Sequence, residues 1–175
     1  MKHRFALIIA VFWLAASGTT AACEEPEVPT FRESLDSATT VFVARLNSVG
    51  LADKSQASRD IAGQLEITRT LKGRPSFRYL RHQAVWCGGL RLLVGHYYLF
   101  ATDQSGDVLH LVRGDRSIVD VSEDYNLQYP PKEPAQLWQT QINDYLQGRP
   151  LPKNFGIWSI SHPVQAFPPQ PGEEW

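Results

Sequence analysis

The side chains in this chain with the clearest chemical potential are two cysteines, Cys23 and Cys87, and they are the only two present. Residues 1–22 ahead of Cys23 have the make-up of an export leader: Lys2, His3 and Arg4, an apolar run from Phe5 to Ala16, then small residues from Ser17 to Ala22. Cleavage after Ala22 makes Cys23 the first residue of the mature protein. In an oxidising compartment an even, minimal cysteine count is most simply a disulfide. A Cys23–Cys87 bond would close a loop for which chain entropy gives roughly 4 kcal/mol. The alternative is a bacterial lipoprotein anchored at Cys23, although Thr20 stands where such sites usually carry Leu. A mature amino-terminal residue also has a free α-amine beside its own carbonyl. Together these could chelate a metal ion in a five-membered ring, because the amine's pKa of about 8 leaves an accessible neutral fraction.

Other reactive side chains give weaker signals. His82, His96, His110 and His162 follow no metal-ligand spacing and read as strand or loop histidines, solvated or locally hydrogen-bonded. Glu24/Glu25 and Glu123/Asp124 are adjacent in sequence, so they point apart on an extended backbone and read as solvated charge. No Gly-x-Ser-x-Gly, His-Glu-x-x-His, Cys-x-x-Cys, phosphate-loop or dinucleotide motif occurs. The expectation is a protein that is not an enzyme and carries no cofactor of its own.

These residues need elements to hold them. At 175 residues, with 43% hydrophobic and 20% charged, the chain has material for one packed core. With 17 basic against 18 acidic residues and no basic block, nucleic acid is not an expected partner. Losing Lys2 and Arg4 with the leader leaves 153 residues carrying −3. No segment of the mature chain approaches the ~20 apolar residues of a transmembrane helix. The product is therefore expected to be secreted, periplasmic or extracellular.

Thr30-Phe-Arg-Glu33 has the form of a capping box and predicts a short helix over 31–36. Strands are expected over 39–46, apolar on both faces, and over 64–71, where Leu65, Ile67 and Leu71 share a face. Further strands follow at 77–80, 97–101 and 108–112, the last two forming a hairpin across Asp103–Asp107. Spacings this short leave no room for crossover helices and favour a mainly β antiparallel meander curled into a small barrel. Phe42, Ala44, Leu65, Ile67, Leu99, Leu109 and Leu111 should be its buried residues. Leu137, Trp138, Ile142, Tyr145 and Leu146 then mark one face of an amphipathic helix, which Gly148 and Pro150 end. The expected organisation is a leader at 1–22, a domain at 23–148 and a Pro-rich tail at 149–175.

Several stretches together resemble one family. They are Cys23 after the leader, Thr40-Val-Phe-Val-Ala-Arg-Leu46, Leu65-Glu-Ile-Thr-Arg-Thr-Leu-Lys-Gly73, and Val85-Trp-Cys-Gly-Gly through Ala101, followed by Gly106-Asp-Val-Leu-His110. From about Cys23 to Leu146 the chain is similar to the netrin-like domain of the tissue inhibitors of metalloproteinases. That resemblance implies a five-stranded antiparallel OB-fold Greek-key barrel with a flanking helix at each end. It implies a Cys23–Cys87 disulfide and a Cys23 whose amine and carbonyl cap the catalytic zinc of a partner metalloprotease. The contact edge would comprise Cys23, Glu24, Glu25, Pro26, Val85 and Trp86. The chain departs from the family in having two cysteines rather than six, and in placing Glu24 where a small Thr or Ser is usual. The competing reading is a non-inhibitory netrin-like module that holds another protein or a glycan.

Overall fold

Thr30 is extended, and its hydroxyl accepts the Glu33 N–H at 3.2 Å while the Glu33 carboxylate accepts the Thr30 N–H at 2.7 Å. Both halves of the expected capping box are thus made. Helix α1, Phe31–Ser37, buries Phe31 and Leu35, one turn apart on the same face. The computed structural model describes residues 28–52, 60–83, 90–112, 115–128, 137–151 and 155.

Six strands follow: β1 (Thr40–Leu51), β2 (Asp60–Lys72), β3 (Tyr79–Gln83), β4 (Tyr97–Thr102), β5 (Val108–Leu111) and β6 (Ile118–Asp120). A 3-10 helix at Ser122–Tyr125 and helix α2, Trp138–Leu146, complete the described elements. The strands form one mixed sheet, ordered β5-β3-β2-β1-β4-β6 and curled into a half-barrel. The molecule is mainly β, but the expected five-stranded antiparallel meander needs two corrections. β6 is a sixth strand, only three residues long and therefore too short to show alternation. β5 does not pair with β4 as a hairpin; it runs parallel to β3, from Tyr79↔Val108 to His82↔Leu111. Backbone chemistry explains this choice. The Asp107 carbonyl accepts the N–H groups of Arg78 (2.8 Å) and Tyr79 (3.0 Å), seating the start of β5 beside the start of β3. The Gln104 side chain then takes the other edge of β5, donating to the His110 carbonyl at 2.8 Å and accepting the His110 N–H at 2.9 Å.

Strand β1 is apolar on both faces because both are covered. Phe42, Ala44 and Leu46 join Leu65, Leu80, Tyr98, Phe100, Leu109 and Leu111 in one cluster. Val41 and Val43 face the opposite way, towards Phe31, Leu35, Leu99, Val119 and Ile142, where the two helices pack. The expected burial holds for Phe42, Ala44, Leu65, Leu99, Leu109 and Leu111, and Ile67 is part-buried. Leu99, however, belongs to the helix-covered face, opposite Val43 in the ladder. Leu71 is a second correction. The register passes from Ala44↔Ile67 to Val43↔Arg69, so Thr68 is an extra residue. This bulge reverses the alternation and sends Leu71 to the helix side, away from Leu65 and Ile67.

The end of α2 matches its sequence signals. Gly148 has φ +90°, its N–H bonds the Tyr145 carbonyl, and the Arg149 N–H bonds that of Asp144, which makes a Schellman motif. At the start of the tail, the Phe155 ring packs against Phe31 (5.6 Å) and edge-on to Trp138 (5.1 Å).

Candidate functional site

The expected contact edge, Cys23, Glu24, Glu25, Pro26, Val85 and Trp86, lies outside the described residues, as do Cys87 and the leader. The described residues do define the frame from which the 84–89 segment departs and to which it returns. β3 ends at Gln83 and the chain resumes at Leu90, which is buried in the same cluster as Leu80 and Leu111.

His82 joins the two sides of that frame. It is 1% exposed, with Nδ1 3.3 Å from the Leu111 carbonyl and Nε2 accepting the Leu90 N–H at 3.4 Å. A carbonyl only accepts and an amide N–H only donates, so the ring is the neutral tautomer with its proton on Nδ1. Burial pushes the imidazole below its ordinary pKa, while the Leu111 carbonyl and the charges of Asp115 and Asp60 pull the other way. Asp115 is itself buried and fixes the exit of β5. One of its oxygens accepts the Val112 N–H at 3.0 Å and the other accepts the Ser117 N–H at 2.8 Å.

The chain's return to β4 is held by a second polar group. Tyr98 is fully buried and its phenol oxygen accepts the Leu93 N–H at 2.7 Å; burial pushes this phenol up to about 12. His96 Nδ1 lies 2.7 Å from Asp120 Oδ2, tying the start of β4 to the end of β6, and both side chains are about a third exposed. The other Asp120 oxygen accepts the Ser122 N–H at 2.9 Å, and the Ser122 hydroxyl accepts the Tyr97 N–H at 3.0 Å. His110 is exposed, and His162 is outside the described residues. Among the described residues no group of three or more His, Cys, Asp or Glu could hold a metal ion.

Three polar residues do work that the sequence did not disclose: His82, Asp115 and Asp120. Each meets partners through strand pairing or a connection, so no fixed spacing marks them. The reading of His82 as solvated or locally bonded fails, since it is buried and its partners lie 29 and 8 residues away; the one signal was its place two residues after Leu80, on the same strand face. Among the described residues no helix is long and apolar enough to cross a membrane. No family model matches the chain, and a search of curated proteins finds no match either.

Proposed function

We propose that this chain is an exported, non-enzymatic netrin-like module that acts as a metalloproteinase inhibitor through Cys23. In this reading Cys23 is the mature amino terminus and is bonded to Cys87. Its amine and carbonyl cap a partner's zinc, and Glu24, Glu25, Pro26, Val85 and Trp86 form the contact edge. The observation that supports the fold on which this reading rests is the strand order. β1 lies between β2 and β4, β3 carries β5 in parallel, and Gln104, two residues beyond β4, bonds both backbone groups of His110 in β5. The end of β4 thereby comes beside β5, which is compatible with a partly open Greek-key barrel of the OB type. In this reading β6 is an addition along the outer edge of β4.

The chelate has a demanding chemical condition. One residue added ahead of Cys23 converts the amine to an amide, removes its lone pair and inserts extra backbone. The mature protein, a form extended by one Ala, and Glu24→Thr should be compared against a panel of zinc proteases, with each fold checked by circular dichroism. Extension should abolish inhibition without unfolding the protein. Glu24→Thr should strengthen binding to proteases with an apolar specificity pocket, where an unpartnered carboxylate is costly to desolvate. Equal potency of mature and extended forms excludes the amine–zinc mechanism.

A second reading, an interaction module for a protein or glycan, is favoured by one observation. Tyr79, Arg81 and His110 stand exposed in the β3–β5 pair, on the face opposite Leu80 and Leu109. Absence of inhibition by all three forms would favour it.

A further inference from the structure

His82 is a buried histidine whose two ring nitrogens have opposite obligations. Nδ1 must donate to Leu111 at the end of β5, and Nε2 must accept from Leu90, where the chain returns from the β3–β4 connection. Only the neutral ring meets both. On protonation, Nε2–H would face the Leu90 N–H, donor against donor, and the charge would sit in an apolar cluster with Leu80, Leu90 and Leu111.

The carboxylates that act on this ring come from two other elements, Asp60 at the start of β2 and Asp115 from the β5–β6 connection. The neighbouring cationic or titratable side chains, Arg81 on β3 and His110 on β5, are exposed on the opposite face. The imidazolium thus has acceptors of the right charge to turn towards, but not without giving up Leu90. We propose that His82 is an acid-responsive latch. Its neutral ring holds Leu90 to β3 and β5, and protonation releases Leu90 as the ring turns to the carboxylates of Asp115 and Asp60. The latch operates whether or not the neighbouring residues meet a protease.

The sign of the pH effect follows from the two states. The unfolded ring titrates near 6.5 and the latched ring lower. The latch's contribution is therefore complete above 6.5 and is lost as pH falls through the latched value. The test is a pH titration of the intact mature protein, following the His82 ring by nitrogen NMR and the Leu90 amide by hydrogen exchange corrected for intrinsic rate. At neutral pH the ring should show the Nδ1–H tautomer. As pH falls from about 6.5 to the latched value, Leu90 protection should fall by up to about tenfold per pH unit relative to the amides of Val43 and Leu99, and it should level off below that value. His82→Gln cannot titrate and should abolish that dependence. Three results would each overturn the latch: Leu90 protection that tracks Val43 at every pH, a ring that stays neutral throughout, or an unchanged Leu90 dependence in His82→Gln. The first two need no variant, so the proposal stands or falls even if His82→Gln does not fold.

Discussion

Asp124 caps a helix from which it is well separated in sequence. The residue before α2, Leu137, has no side-chain acceptor to offer, so the first N–H groups of that helix need one from elsewhere. Asp124 supplies both oxygens, to the Trp138 N–H at 3.0 Å and the Gln139 N–H at 3.1 Å. Its negative charge also suits the positive end of the helix. The expectation that Glu123 and Asp124 are merely solvated therefore fails for Asp124. Thr30 shows why one cap was legible and the other was not: its partner Glu33 is three residues away, whereas those of Asp124 lie 14 and 15 residues on. Asp124→Ala should cost about 1–2 kcal/mol in urea unfolding, the usual effect of losing a cap. Asp124→Asn, which keeps one acceptor, should cost less. No loss in the Ala variant would mean that water caps α2 equally well.

At the scale of elements, the residue pattern revealed β1 to β5 but not the three-residue β6, and the pairing of the strands escaped it. The β2 segment reads correctly up to Ile67. Beyond it the Thr68 bulge, which nothing in Ile67-Thr-Arg-Thr70 announces, turns Arg69 and Leu71 to the helix side. There Arg69 donates to Gln139 on α2 at 3.3 Å, which accounts for a polar residue standing between Ile67 and Leu71. The choice of β3 over β4 as partner for β5 rests on Asp107 and Gln104, whose roles depend on a tertiary approach. The end of β2 was legible because Gly73 carries a backbone requirement. It sits at φ +71°, and a Cβ there would lie 2.4 Å from the Thr39 carbonyl oxygen and 2.8 Å from Thr40 Cγ2. Gly73→Ala combines left-handed strain with a clash against backbone, so a loss of roughly 2–4 kcal/mol is expected. Gly106, at φ +114° with nothing within 4 Å of its Cβ position, supplies the control. Gly106→Ala should incur the strain alone, and equal losses in the two variants would show that the Thr39–Thr40 contact yields freely.

For the molecule as a whole, one sheet serves two apolar clusters, and the same strands feed both. On β1, Phe42 and Ala44 face one way while Val41 and Val43 face the other; on β4, Tyr98 and Phe100 oppose Leu99 and Ala101. The doubly apolar reading of Thr40–Leu46 anticipated this arrangement, because a strand wet on one face would alternate. The residues that carry the resemblance most specifically, Cys23 and Cys87, lie outside the described set, so what was legible of the candidate site concerns its frame: β3, β4 and the helices. Sharing strands has a consequence for stability. A defect on the helix side cannot be confined there, since releasing Val41 or Leu99 displaces Phe42 and Phe100 on the same backbone. Ile142 is the fully buried residue of α2 on that side. Ile142→Ala should lower global stability by about 2–5 kcal/mol, the range for truncating a buried aliphatic side chain. Amide exchange of Phe42, on the opposite face, should register the same loss as the urea midpoint, in a single transition. If α2 instead came away at lower denaturant while Phe42 kept its protection, the two faces would be independent and the shared-strand account would fail.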